Sequence, residues 1–203
     1  MTHDEISKFL KDHGQHRQRT IVIVDFGNVE KWKNSLRWKV GIRELARLVK
    51  CLSLGKSFLR RFYYGADFGE KESSIIMTPW SEKLLATAKM NGFDVISKRV
   101  KYIVSNENKF GFEKKCDLDV DMTVDLIQER DNYDTIFLFS GDGDLVRALE
   151  YLHKEYGKKS IVMGARGHVG REIIDALNAG IISNILYADD FEYRLNMDRF
   201  MRK

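Results

Sequence analysis

The chain has 203 residues, 43% hydrophobic and 32% charged, with 34 Lys/Arg against 30 Asp/Glu and a formal net charge of +4. That length and balance suit one α/β domain with a sizeable core and exclude a disordered chain; no apolar run approaches the roughly 20 residues of a membrane span. Cys51 and Cys116 stand far apart without metal-ligand spacing and read as free thiols, so with no apolar leader a cytoplasmic location is expected.

Charge is unevenly placed. Residues 1–115 carry 23 basic and 13 acidic side chains, and residues 116–203 carry 11 and 17. A basic half beside an acidic half suits a polyanion held by cations while carboxylates hold a metal. Segregation by chance is the alternative, so the split is supporting evidence alone.

Residues 1–20 read as a polar lead-in, with one short helix around Ile6, Phe9 and Leu10. Ile21-Val22-Ile23-Val24 is an unbroken apolar run ending at Asp25, the pattern of a strand buried on both faces. Trp32 to Trp38 is basic and aromatic, and Ile42, Leu45, Ala46, Leu48, Val49 and Leu52 have helical spacing. Ser57–Tyr64 is a second strand. Thr78-Pro79 opens a helix carried by Leu84, Leu85, Ala88 and Met90, and Asn91-Gly92 ends it. Phe93 to Lys98 is a third strand, which Val100–Val104 extends or pairs beside. Ser105 to Lys115 is polar and expected to be a loop.

From Cys116 to Glu129 the pattern is ambiguous. Apolar residues alternate at 118, 120, 122, 124 and 126, yet Val120, Val124 and Ile127 fit a helix face, and length favours a helix. Strand Thr135–Phe139, helix Leu145–Tyr156, strand Ser160–Met163, helix Gly170–Leu177 and strand Ile185–Tyr187 complete the order. Strands alternating with helices imply a mostly parallel sheet covered on both sides.

Phe139-Ser140-Gly141-Asp142-Gly143-Asp144 joins a strand to a helix. Open α/β sheets place ligands outside the carboxyl ends of their strands. Asp25 and Asp142 both end apolar strands, and a third acidic cluster comprises Asp117, Asp119, Asp121 and Asp125. Carboxylates without histidine or thiolate neighbours suit Mg²⁺ or Mn²⁺ over zinc. Such a cation can bind a phosphate oxygen and generate hydroxide. Each acid taken singly reads equally well as a helix cap or a solvated charge.

The order D-x-x-N (Asp25, Asn28), K-x-x-x-D (Lys115, Asp119) and S-G-D-x-D (Ser140, Gly141, Asp142, Asp144) resembles the NYN domain family, the LabA-like branch of the PIN-like nucleases, from about Ile21 to Phe191. The resemblance implies an α/β/α sandwich over 21–191, a short tail at 192–203, and a metal-dependent ribonuclease centre. In that centre Asp25, Asp119, Asp142 and Asp144 would be the acidic metal ligands, with Asn28 and Ser140 as polar supports. An acid, Asp117, stands where the family has glycine, which leaves Asp117 and Asp121 as rivals to Asp119.

For RNA, single-stranded or structured, the candidate contacts are Lys31, Trp32, Lys33, Arg37, Trp38 and Lys39, and Lys109, Phe110, Phe112, Lys114 and Lys115. Basic groups hold phosphates and aromatics stack on unpaired bases; packing under the first loop is the competing reading for both tryptophans. The apolar and basic stretch 191–203 offers a surface for a second copy, so a homodimer stays open. Two other functions stay open: a non-catalytic RNA-binding module on the same fold, and a haloacid dehalogenase-like phosphatase. The phosphatase needs a second acid two residues after Asp25, where Gly27 stands.

Overall fold

A computed structural model describes residues 2–15, 19–52, 58–69, 74–104 and 112–198. In chain order the elements are α1 (His3–Gln15), β1 (Thr20–Asp25), α2 (Phe26–Lys31), α3 (Lys33–Leu36), α4 (Ile42–Leu52), β2 (Phe58–Tyr63), α5 (Pro79–Met90) and β3 (Asp94–Ile96). There follow β4 (Lys101–Val104), β5 (Phe112–Lys115), α6 (Asp119–Gln128), β6 (Thr135–Phe139), α7 (Val146–Tyr156), β7 (Lys159–Gly164), α8 (Arg171–Asn178), β8 (Asn184–Tyr187) and α9 (Glu192–Leu195).

Six strands form one sheet in the order β3-β2-β1-β6-β7-β8, and every pairing within it is parallel. The unbroken apolar runs explain this. Along β1, Val22 and Val24 point into one core with Phe26, Leu45, Phe62 and Phe139, while Ile21 and Ile23 point into the other with Met122, Leu138 and Leu149. A strand apolar on both faces is stable only between two helical layers. Each large side chain buried there contributes about 1.5–3 kcal/mol. The polar start of the chain joins this body, since Ile6 of α1 is fully buried in the first core.

Several expectations are corrected. Val100–Val104 does not extend β3, and the Ser105–Lys115 segment is not all loop: β4 pairs antiparallel with β5, Tyr102 opposite Lys114, as a separate two-stranded ribbon. Lys109 and Phe110 lie outside the described residues. In α6 the buried stripe is Met122 and Leu126, preceded by Leu118, while Val120 and Val124 face solvent. The spacing 118, 122, 126 is itself helical, and the strand-like alternation hid it. Met90 of α5 is exposed, whereas Leu84, Leu85 and Ala88 are buried as expected.

Candidate active site

β1 and β6 are neighbours in register, Val24 opposite Phe139. The next residues, Asp25 and Ser140, therefore meet at the carboxyl rim of the sheet. The Ser140 hydroxyl donates to Asp25 Oδ2 at 3.0 Å, and the Asn28 backbone N–H donates to Asp25 Oδ1 at 3.1 Å. Asp25 thus caps α2 while its other oxygen is held by Ser140, the residue that follows β6. Asn28 Oδ1 in turn accepts the Gly141 N–H and the Trp32 indole N–H, each at 2.9 Å. Ser140 Oγ also accepts the Asp142 N–H at 3.2 Å, and Asp142 Oδ1 accepts the Asp144 N–H at 3.1 Å. The two motifs form one hydrogen-bonded network in which nearly every partner is named by sequence.

Gly141 is required by close approach. A Cβ there would lie 1.6 Å from the His168 carbonyl oxygen. The Gly170 N–H donates to the Gly141 carbonyl at 2.8 Å, so the loop after β7 closes directly on the loop after β6.

Asp119 enters from the start of α6. Its carboxyl is pushed up to about 7 by burial first and then by the negative charges of Asp25, Asp142 and Asp117. Burial raises Asp25 as well, with the Asp142 charge adding to it and the hydrogen bonds from Asn28 and Ser140 opposing it. Asp25, Asp119 and Asp142 therefore share one electrostatic neighbourhood. Asp117 serves Asp119 locally, its Oδ1 accepting the Asp119 N–H at 3.2 Å. Asp121 is drawn into an ion pair with Lys98. Asp125 accepts a 2.5 Å hydrogen bond from the buried Tyr63 hydroxyl. Of the rivals, Asp119 is the one on which the charges of both other clusters, Asp25 and Asp142, act. Asp144 is exposed, and among the described residues no hydrogen bond or ion pair ties its carboxylate to the other three.

The donor set suits a hard divalent cation: the converging groups are carboxylates, and burial keeps the neighbouring Cys116 thiol protonated. Among the described residues no three such side chains close into a ready ligand cage. Unshielded carboxylates repel, and a counter-ion is what draws such groups together.

The nucleic-acid candidates divide. Trp32 is fully buried in the core, so it cannot stack on a base; its ring anchors α2 and its indole N–H positions Asn28. Trp38 is half-buried and packs on the same core. Lys31, Lys33, Arg37 and Lys39 are exposed just beyond the acidic centre, Arg37 in a left-handed turn that ends α3. Lys115 is exposed at the end of β5; Lys114 pairs with Asp67 at 2.6 Å and lies over the Tyr102 ring. His153 bonds the Lys158 carbonyl at the opposite rim, away from the acids.

A family model described as the NYN domain matches residues 19–194. The "Low amplitude and bright protein LabA" of Synechococcus elongatus is 31% identical over 93 residues, which cover 46% of this chain and 50% of that protein. The chain spans about half the length of this curated relative. A crystal structure of a protein of unknown function from Vibrio parahaemolyticus superposes with a TM-score of 0.63 at 23% identity, over 87% of this chain and 96% of that one, and shows the same fold. Among the described residues no helix is long and apolar enough to cross a membrane.

Proposed function

The chain belongs to the NYN domain family, and on that premise we propose that it is a metal-dependent endoribonuclease hydrolysing RNA phosphodiester bonds. NYN domains are PIN-like nucleases, so membership supports a ribonuclease-type function. The finer reading is carried by one observation: the charges of Asp25 and Asp142 at the carboxyl rim both bear on Asp119, the three coming from distant parts of the chain.

Asp25, Asp119 and Asp142 would hold Mg²⁺ or Mn²⁺, with Asp144 within the same loop as a further donor. The cation, when bound, supplies positive charge for a phosphoryl oxygen and lowers the pKa of water. The protein's own contribution is orientation. Ser140 and the Asn28 N–H fix both oxygens of Asp25, and Trp32 holds Asn28 against Gly141. Asp142 is tied to the same network through its own N–H. Lys31, Lys33, Arg37, Lys39 and Lys115 stand exposed where phosphates of an RNA strand can be held.

Labelled RNA incubated with Mg²⁺, Mn²⁺ or EDTA tests the reading. Metal-dependent cleavage is expected, lost in Asp142→Asn prepared identically. RNA binding without cleavage in either metal would sink the enzyme and leave a binding module. Turnover of p-nitrophenyl phosphate that disappears in Asp25→Asn would point to a phosphatase instead.

A further inference from the structure

Along the same rim, toward β3, the fold leaves a large aromatic in solvent. Trp80 lies in the first turn of α5, after the Thr78 cap and Pro79, and is 63% exposed. The turn that carries it is pinned. The Thr78 N–H donates to the Asp67 carbonyl at 2.8 Å, and the Asp67 N–H donates to Ser81 Oγ at 3.1 Å. The half-buried Tyr64, just after β2, packs edge-on against Phe26, the first residue of α2, at 5.8 Å. Glu30 stands on α2 two residues after Asn28, and Tyr64 follows Tyr63, the register partner of Asp25. The turn that carries Trp80 is thus tied to the segment leaving β2, the strand whose last residue is the register partner of Asp25.

The surroundings are basic. Lys114 pairs at 2.6 Å with Asp67, whose backbone holds the Trp80 turn, and Lys33 and Lys39 are exposed after α2. Arg99 lies over the Phe68 ring at 5.1 Å, on the segment leaving β2, and its guanidinium donates to the Ser74 carbonyl at 2.7 Å. Ile75 and Ile76 are exposed just before α5. A protein partner would use those isoleucines and has no need of the lysines, whereas an unpaired polynucleotide uses an exposed indole for a base and cations for its phosphates. Charge complementarity therefore favours the polynucleotide.

We infer that Trp80 is a base-stacking platform for an unpaired RNA strand that runs from the acidic centre across the ends of β1 and β2, with Lys33, Lys39 and Lys114 at its phosphates. The choice of RNA rests on the nuclease reading above; the stacking itself does not depend on cleavage.

The test is a titration of the full chain in EDTA with single-stranded oligouridine, read by tryptophan fluorescence and by anisotropy of a labelled strand. Of the three tryptophans, Trp32 is buried and Trp38 half-buried, so quenching reports chiefly on Trp80. Expected are quenching by the single strand and little by duplex RNA. Trp80→Ala should weaken binding roughly fivefold or more, while Trp80→Phe loses the quenching but keeps most of the affinity. Trp80→Ala binding as tightly as wild type overturns the platform, and leaves the nuclease standing if wild type still cleaves. Trp80-dependent binding with no cleavage in Mg²⁺ or Mn²⁺ upholds the platform and removes the nuclease. No binding at all overturns the platform, and removes the nuclease too only if wild type also fails to cleave in Mg²⁺ or Mn²⁺. A wild type that self-associates through Trp80, with unchanged RNA affinity in Trp80→Ala, overturns the platform in favour of a protein interface.

Discussion

Ser140 has one hydroxyl serving two acids: it donates to Asp25 and accepts from the Asp142 N–H. Ser140→Ala leaves Asp25 buried with one partner fewer, and cleavage should fall about 10- to 100-fold, measured at saturating metal and at limiting metal to separate turnover from cation affinity. Trp32→Phe keeps an aromatic in the core but removes the N–H bonded to Asn28. It should cost about 0.5–1.5 kcal/mol in urea unfolding, with some loss of cleavage as Asn28 loosens. Asp119 gives a pH signature. Its carboxyl is at about 7 in the folded protein against 3.8 for the free side chain. The folded state therefore binds more protons between those values, and stability contributed by this group is complete below pH 3.8 and is lost as pH rises through 7. In metal-free buffer Asp119→Asn should melt progressively higher than wild type as pH rises from 4 to 8. The gap should reach a few degrees, modest because the carboxyl is partly solvated and screened. Differential scanning calorimetry across that range checks it, and a gap independent of pH would show that neither burial nor the neighbouring charges raise the Asp119 carboxyl.

At the scale of elements, the two loops that make the site depend on each other. The β6–α7 loop can lie under the β7–α8 loop only because Gly141 has no Cβ. Gly141→Ala should destabilise the protein by about 1–3 kcal/mol or more, seen as a shift in urea midpoint, since backbone and not a flexible side chain must move. Leu145→Ala, which empties core without touching that approach, should lower stability by a comparable amount yet spare cleavage more. The β4–β5 ribbon shows why sequence reading falters at this scale. Glu113, Lys114 and Lys115 carry no apolar alternation, and their strand exists because β4 is there to pair with. Trp80 is the counterpart among helices. It stands four residues before Leu84, a spacing that fits the buried face of α5, and only the placement of the first turn at the rim leaves it exposed.

For the whole molecule, the charge split predicts that RNA is held mainly by cations. Affinity should fall steeply with salt, with log K declining against log salt by about 0.7 for each phosphate contact on a single strand. Lys33→Ala combined with Lys39→Ala should flatten that slope by about 1.4 if both contact phosphates, without altering the dependence of cleavage on metal concentration. An unchanged slope would show that those lysines lie off the path.

The sequence by itself determined the layer order and the strand-end position of two acids. Apolar runs on both faces of β1 and β6 admit no other setting, and Asp25 and Asp142 each follow such a run. It also carried the family, because the motif residues bond to one another and so are specified together. What the chain order could not decide was direction. Whether Trp32 meets a base or the core, whether Val120 or Met122 turns inward, and which of four aspartates in one stretch faces Asp25 depend on where neighbouring layers lie. Burial and charge coupling are properties of side chains brought together from far apart, and only the packed structure sets those distances.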